Sequence, residues 1–373
     1  YLATCFFSHQ LFNNKKVKSN FFEVKNYCFV IPHGRLRLLR SFFINFFVFL
    51  KFLKKVSKKT NQEVDFIYSP SILLLFLTVF FKKFKKAKLV FHFHGFDYGE
   101  NDKKIYEYLQ EQKINKIIKY LYLLPFLYFF NLIEKFVLKK TFKIIVPTKP
   151  STLFILKRHP EVDKIYQKKI DIVPYSFDNQ IFYPNLGEEK HRNWRIIYAG
   201  RMVKEKGVEE LVRAFKTLDE DKFYLNILYP SSEDADFEKK IKNLIRGLGN
   251  INLIKNPGRK TIAEFYRQSD LSVIASITHF EQLPLSFIES IACGVPVLIS
   301  HKIPALTVWQ KENAPFLILD KINSQKIAEK IKFYCSLSLK ERKKIIKKCL
   351  VFTQEFIPEN SFRVFLDLFL SNK

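Results

Sequence analysis

The second half of the chain alternates short apolar runs with amphipathic stretches, and this alternation limits the possible fold more than any other feature. Residues 196–199 read as a buried strand, Gly200 as a turn, and residues 208–215 carry apolar side chains at helical spacing. Two further strand and helix pairs follow in order: 224–229 with 235–248, and 251–254 with a helix that begins near Thr261. Strands that alternate with helices over short links predict parallel sheets, so we expect an α/β fold.

Two cations follow the first of these strands. Arg201 and Lys206 come after Gly200, at the carboxyl end of the predicted strand, where open α/β sheets bind their ligands. A guanidinium presents a planar fork and an ammonium a point charge, and together they can neutralise a diphosphate. Taken alone, the pair is better explained as two ordinary surface cations in a lysine-rich chain.

A second stretch, residues 276–298, reads SITHFEQLPLSFIESIACGVPVL. Glu281 precedes a predicted helix and Glu289 lies inside it, while Ser276 ends the strand before them. The free amides and the positive dipole end at a helix start form an anion site. One carboxylate on each side of a bound phosphate suits a nucleotide sugar, with one acid for the sugar hydroxyls and the other for the ribose. Two solvated glutamates are the simpler alternative.

The order and separation of these pieces resemble the retaining glycosyltransferases of family 4, which have the GT-B fold of two Rossmann-like domains facing a cleft. The resemblance covers about residues 172–310, and the matching pieces are Gly200, Arg201, Lys206, Gly207, residues 256–276, Glu281 to Glu289, and residues 292–297. It implies that Arg201 and Lys206 hold the donor diphosphate. It also implies that Glu289 holds the ribose hydroxyls, that Glu281 holds the transferred sugar, and that neither a metal ion nor a cofactor is needed.

Two residues depart from the family pattern. Gln282 replaces a frequent glycine, and Pro284 stands where others often have glycine. Because proline has no amide proton, Leu285 becomes the expected amide donor to the phosphate. These departures leave the preference for a particular donor open.

The N-terminal half carries a second point of resemblance. A predicted strand at 88–93 runs into His94, Gly95 and Asp97, which resembles the acceptor-side loop of the family. We therefore expect His94 to line the cleft with Asp97 in support, and His92 to be a buried residue with a hydrogen-bond partner. The predicted domains are 1–185 and 194–355, with 186–193 as linker and a last helix, within 360–373, that returns to the first domain.

The net charge of +27 is concentrated in the N-terminal half and would attract nucleic acid, anionic lipid or an acidic glycan. The phenylalanine-rich helix predicted at 35–59 has two interpretations: its rings pack on a sheet, or they dip into an anionic membrane beside its lysines. A nucleic-acid-binding protein is disfavoured because the phenylalanines lie in helix-like runs. No apolar stretch is long enough to span a bilayer, and five scattered cysteines without a CxxC motif indicate a reducing compartment.

Taken together, these features predict a cytoplasmic enzyme, peripheral at the inner membrane face. It would transfer a sugar, with retention, from a nucleotide-diphosphate donor to a lipid-linked or glycan acceptor. The alternatives are a nucleotide-sugar-binding protein or epimerase of the same fold without transferase activity and, less favoured, the nucleic-acid-binding protein.

Overall fold

The computed structural model describes residues 37–59, 64, 66–93, 124–159, 168–185, 193–230, 234–278, 282–306 and 316–370. The chain divides into two compact units, Tyr1–Ile172 and Val173–Lys373. Each unit is built on its own parallel sheet. The predicted linker lies mostly outside the described residues, so the predicted domain bounds stay a prediction.

The first unit contains a four-stranded sheet in the order β1-β2-β3-β4, with all neighbours parallel. Its elements are α1 (Arg37–Lys59), β1 (Phe66–Ser69), α2 (Ile72–Thr78), β2 (Lys88–His92), α3 (Leu124–Lys140), β3 (Lys143–Val146), α4 (Lys149–Arg158) and β4 (Ile170–Ile172). The strand predicted at 88–93 is therefore present as β2.

The core of the first unit joins the sheet to the helices. Phe91 on β2 and Ile144 on β3 are fully buried, and they pack in one cluster with Phe49 and Leu53 of α1. The interpretation that the rings of this helix pack on a sheet is thus confirmed for Phe49. Phe47 on the same helix remains 59 % exposed.

The second unit contains a six-stranded parallel sheet in the order β10-β9-β8-β5-β6-β7. Its strands are β5 (Trp194–Ala199), β6 (Phe223–Tyr229), β7 (Ile251–Lys255), β8 (Leu271–Ile274), β9 (Val297–Ser300) and β10 (Phe316–Leu319). Its helices are α5 (Val208–Phe215), α6 (Ala235–Leu244), α7 (Arg259–Arg267), α8 (Leu285–Ala292), α9 (Ser324–Ser336), α10 (Leu339–Thr353) and α11 (Pro358–Leu370).

Both faces of this sheet are covered. Along β5, Ile196 and Tyr198 belong to one buried cluster and Ile197 to another, because alternate side chains of a strand point to opposite faces. Helix α5 packs on the first cluster through its predicted apolar positions, Val208, Leu211, Val212 and Phe215. The α/β fold with parallel sheets is therefore confirmed.

The strand order reverses direction at β5. The chain runs from β5 through β6 to β7 on one side and then returns to place β8, β9 and β10 on the other. In open parallel sheets such a reversal separates the loops after the two central strands, and ligands bind between them at the carboxyl ends. The loops that follow β5 and β8 therefore mark the position of a site.

The C-terminal helix α11 is grouped with the second unit. The segment before it packs there, since Phe352 lies against Phe287 of α8 with ring centroids 6.3 Å apart and Phe356 is buried. The predicted return of this helix to the first domain stays a prediction.

Candidate active site at the reversal of the second sheet

The loops after β5 and β8 are joined directly. The Ile277 amide donates a hydrogen bond to the Glu205 carbonyl at 2.9 Å. Gly207 has a φ of +69°, and a Cβ at this position would lie 2.0 Å from the Ala275 carbonyl oxygen. Only glycine fits both the left-handed backbone and this close approach. The two loops are thus held together by backbone geometry.

The loop with the two predicted cations is pinned at its start. The Gly200 amide donates to the Leu228 carbonyl at 3.0 Å, and the Tyr198 hydroxyl donates to the Arg201 carbonyl at 2.7 Å. The Arg201 side chain is exposed and the Lys206 side chain half-buried. Both predicted cations therefore lie on a short, hydrogen-bonded loop at the carboxyl end of β5.

Helix α8 begins where the sequence predicted an anion site. Pro284 precedes the helix and Leu285 is its first residue, so the Leu285 amide belongs to the group that lacks a partner within the helix. The Tyr266 hydroxyl on α7 donates to the Ser286 carbonyl at 3.1 Å and ties the two helices together. Ser276, at the other end of the connecting loop, is buried.

Glu289 lies one turn into α8 and forms an ion pair. Its carboxylate is 3.3 Å from the guanidinium of Arg259, the first residue of α7, and is mostly buried. Burial raises the pKa of Glu289 to about 7, although the Arg259 cation opposes the shift. A partly desolvated carboxylate of this kind accepts hydrogen bonds strongly, as recognition of a vicinal diol requires.

Tyr266 connects Glu289 to the loop after β5. Burial raises the pKa of the Tyr266 phenol well above its ordinary value, and the neighbouring Glu289 and Tyr198 raise it further. The phenol of Tyr266 thus lies near Glu289 and near Tyr198, whose hydroxyl donates to the Arg201 carbonyl. The structure therefore brings these predicted site residues into one region.

Sequence reasoning missed Arg259 as a site residue. Its guanidinium lies 5.0 Å above the Phe182 ring as well as beside Glu289. A cation in the first turn of a helix opposes the helix dipole, and α7 has no acidic residue there. This unfavourable placement is the signal in the sequence that could have indicated an acidic partner elsewhere in the fold.

Gln282 has a buried side chain beside the start of α8. Neither amide atom has a hydrogen-bond partner within the described part of the chain. A buried amide costs free energy until a ligand or water satisfies it. The residue that replaces a frequent glycine is therefore available to a bound molecule.

Three predicted site residues, Glu281, His94 and Asp97, lie outside the described residues, so their roles stay predictions. His92 is buried and hydrogen-bonded through Nδ1 with the Tyr68 hydroxyl, as expected. Within the described ranges, no group of three or more His, Cys, Asp and Glu side chains could hold a metal ion. In the same residues, no helix has both the length and the apolar character of a membrane crossing.

One relative of the chain is a probable sucrose-phosphate synthase of Thermosipho melanesiensis, which is 25 % identical over 200 residues. The alignment covers 51 % of this chain and 47 % of the relative, so the chain spans about half the length of this curated protein. The region of similarity is thus shorter than either protein.

Solved structures resemble most of the chain at low identity. A sucrose-phosphate synthase from Thermosynechococcus elongatus has a TM-score of 0.68 at 17 % identity, with 93 % of this chain and 86 % of that chain covered. Anabaena HepE in complex with UDP-glucose has a TM-score of 0.64 at 13 % identity, covering 87 % and 82 %. A glycosyltransferase from Rickettsia africae has a TM-score of 0.61 at 20 % identity, covering 91 % and 83 %.

These similarities establish the predicted fold class, GT-B, and a family model matches part of the chain. Residues 182–349, from just before β5 into α10, match the model described as glycosyl transferases group 1. The chain thus has the GT-B fold and carries, in its second unit, a glycosyl transferases group 1 segment that contains Arg201, Lys206, Arg259 and Glu289.

Proposed function

We infer that this protein is a retaining glycosyltransferase of family 4 that moves a sugar from a nucleotide-diphosphate donor to an acceptor. The observation that carries the proposal is the mostly buried Glu289, held 3.3 Å from Arg259 at the reversal of the second sheet. A desolvated carboxylate at the ligand-binding edge of a doubly wound sheet is the arrangement that a ribose needs. The match to the group 1 model supports this reading.

The donor diphosphate would lie between the loop after β5 and the start of α8. Arg201 and Lys206 neutralise its charge, and the Leu285 amide donates to a phosphate oxygen. The glycine at position 200 lets the chain turn tightly at this point, and Ser276 lines the loop on the other side. These groups stabilise the negative charge that develops on the leaving diphosphate, typically by a few kcal/mol for each well-aimed group.

The reacting end of the donor would meet Glu281 and the predicted acceptor-side residues. Glu281 holds hydroxyls of the transferred sugar, and His94, supported by Asp97, orients the sugar or the acceptor. The acceptor attacks the face from which the diphosphate leaves, and a phosphate oxygen takes the acceptor proton. This scheme requires neither a metal ion nor a cofactor, and it retains the configuration of the sugar.

Donor binding is the first test. The midpoint temperature of thermal unfolding should rise with one of the UDP, GDP or ADP sugars, since a ligand that binds the folded state stabilises it. Glu289→Ala and Arg201→Ala should abolish the shift. Glu264→Ala and Lys239→Ala remove an exposed carboxylate and an exposed cation elsewhere in the second unit and should preserve it. A protein that responds to no nucleotide sugar would contradict the proposal.

The proposed acceptor is a lipid-linked sugar or a glycan, used at the cytoplasmic face of the membrane. A phosphorylated sugar is the second acceptor class to assay, because the relatives include sucrose-phosphate synthases. Transfer is measured as release of the nucleoside diphosphate that depends on the acceptor. Donor binding without such release would favour the alternative of a nucleotide-sugar-binding protein or epimerase.

A further inference from the structure

The first unit exposes large apolar side chains on α3 and in the turn between α2 and β2. Phe80, just after α2, is 68 % exposed, and α3 exposes a stripe of four side chains. We call these residues the aromatic patch: Phe80, Tyr128, Phe129, Leu132 and Phe136. Four large aromatic rings and a leucine turned to solvent form a surface that a monomeric soluble protein rarely leaves uncovered.

The stripe on α3 follows from the spacing of its residues. Tyr128, Leu132 and Phe136 are four positions apart and lie on one side of the helix, whereas Phe130 and Ile133 face the core and are buried. An amphipathic helix normally turns one apolar side inward and a polar side outward. Helix α3 is apolar on both sides, so its outer side requires a partner.

The patch is continuous between α2 and α3. The Phe76 ring meets the Phe80 ring at 5.3 Å and the Phe136 ring at 5.9 Å, both edge to face. These contacts fix the exposed rings in position before anything binds. Helix α1 adds Phe47, which is also exposed.

Exposed lysines lie on the elements that carry the patch and on α1, which packs on α2. They belong to the end of α1, to the turn after Phe80 and to the end of α3: Lys51, Lys54, Lys55, Lys58, Lys82, Lys83, Lys85, Lys86, Lys139 and Lys140. The Lys83 ammonium donates to the Ser57 carbonyl at 2.6 Å, which ties the turn to the end of α1. We call this set the lysine border.

Acidic side chains contribute little to this surface. Among the described residues of the first unit, Glu134 and Asp171 are the acidic ones. Glu134 is completely buried beside His159, and Asp171 is paired with Lys143 at 2.9 Å. The described surface around the patch is therefore positive, and its partner is expected to be negative.

We propose that the aromatic patch and the lysine border form a docking surface for an anionic lipid bilayer. The rings enter the interfacial region, while the lysine stems lie along it and place their ammonium groups among the headgroups. A second copy of the chain fits less well, because two positive borders would meet. A nucleic acid would require rings presented on a sheet or groove for base stacking, and these rings lie on helices.

The docking surface would hold the protein at the membrane face proposed above, so the inference rests on the proposed function. Vesicle binding and donor binding are nevertheless measured separately, so that either can fail without the other. A full chain that binds vesicles yet ignores every nucleotide sugar would support the docking surface and contradict the transferase.

The experiment is sedimentation of the full chain with vesicles of two compositions, phosphatidylcholine alone and equal parts of phosphatidylcholine and phosphatidylglycerol. We expect binding to the mixed vesicles, weakened by high salt because the lysine contribution is screened. Equal binding to both compositions, or binding to neither, would overturn the proposal.

Substitutions separate the two parts of the surface. Phe80→Ser together with Phe136→Ser should weaken binding at least about tenfold, because less apolar area enters the interface. The matched control is Phe333→Ser, which removes a ring that is 51 % exposed in the second unit.

Each of Lys82→Gln and Lys85→Gln should weaken binding about fivefold. Lys344→Gln and Lys347→Gln, exposed in the second unit, are their controls.

Two measurements exclude other causes. Because the substituted side chains are exposed, the variants should keep the thermal transition of the parent and its response to a nucleotide sugar. A dimer that forms with rising protein concentration and disappears in the Phe80→Ser, Phe136→Ser variant, in the absence of vesicle binding, would overturn the proposal in favour of a second copy.

Discussion

The two units share an architecture and use charge in different ways. In the second unit, carboxylates meet cations: Glu209 pairs with Arg213 and Lys240, and Glu289 with Arg259. In the first unit, exposed lysines lie beside exposed aromatic rings, and its described carboxylates are buried or paired. Parallel sheets thus carry paired charges and a polar site in one unit, and a positive, apolar surface in the other.

The two sheets also differ in strand order. The second sheet reverses its strand order at β5, which creates the position for a ligand, whereas the described strands of the first follow the chain order from β1 to β4. The predictions below test whether the second unit depends on backbone geometry and paired charge, and whether the first depends on its own buried core.

The largest effect is expected at Gly207. Gly207→Ala places a Cβ 2.0 Å from the Ala275 carbonyl and forces alanine into a left-handed backbone, so it should destabilise the second unit by about 3 to 4 kcal/mol. Both tryptophans, Trp194 and Trp309, belong to this unit, so tryptophan fluorescence in a urea titration reports the loss.

The matched control for Gly207 is Gly249. No atom lies within 4 Å of a Cβ added there, so Gly249→Ala should leave the fluorescence transition nearly unchanged. Equal transitions for the two variants would show that the contact between the loops after β5 and β8 does not hold the second unit together.

The next effect concerns the first unit. Glu134 and His159 are both completely inaccessible to solvent, with 3.3 Å between the carboxylate and the ring nitrogen. Glu134→Ala removes half of this pair and should cost about 3 kcal/mol, because the remaining partner stays buried. Circular dichroism in urea should show the loss, while the tryptophan transition of the second unit should move much less.

Glu134→Gln serves as the control because it keeps a hydrogen-bonding oxygen at the same place, and it should cost less than Glu134→Ala. A tryptophan transition that shifts as far as the circular dichroism signal would mean that the two units unfold together. The comparison between separately stabilised units would then fail.

The alternation of strands and helices in the sequence predicts the second unit well because each element has its own local signal. Gly207, Val208 and Leu211 already indicate a turn followed by a helix that buries one side. The strand order is not contained in such signals, since a parallel sheet of the same strands could be ordered in other ways. The position of the site at the reversal therefore came from the structure.

The candidate site was predictable where a residue type and its place in the chain agree, as for Arg201, Lys206 and Leu285. Arg259 was missed because its partner, Glu289, is thirty positions away in sequence and only the packing of α7 on α8 joins them. Surface exposure of the rings on α3 was also beyond the sequence, because the apolar residues that dominate this helix do not show which of its sides faces the core.

The pH dependence of stability tests the buried carboxylate of the site. Burial raises the pKa of Glu289 from 4.5 to about 7, so between these values the folded state keeps a proton that the unfolded state has lost. Stability should therefore fall as pH rises through this window, by on the order of 2 kcal/mol relative to Glu289→Gln.

Urea midpoints of the parent and of Glu289→Gln, measured across the window, check this difference. Donor binding should show the opposite trend and strengthen as pH rises through about 7, because the ionised carboxylate is the better acceptor for ribose hydroxyls. Parallel pH profiles of the two proteins would contradict the raised pKa of Glu289.

The smallest effect is expected for the surface charges of the second unit. Glu209 meets Lys240 at 2.6 Å and Arg213 at 2.9 Å, and the hydrogen bond from Lys240 is the first cause of its lowered pKa. Its two partners are about half exposed, so Glu209→Gln should cost less than about 1 kcal/mol.

Because folding lowers the pKa of Glu209, its contribution to stability is present above the ordinary glutamate pKa and disappears as pH falls through the lowered pKa. High salt should shrink it as well. A cost as large as that of Glu134→Ala would mean that paired surface charge holds the second unit together, whereas a small one leaves that task to the backbone contact at Gly207 and the two buried clusters of the sheet.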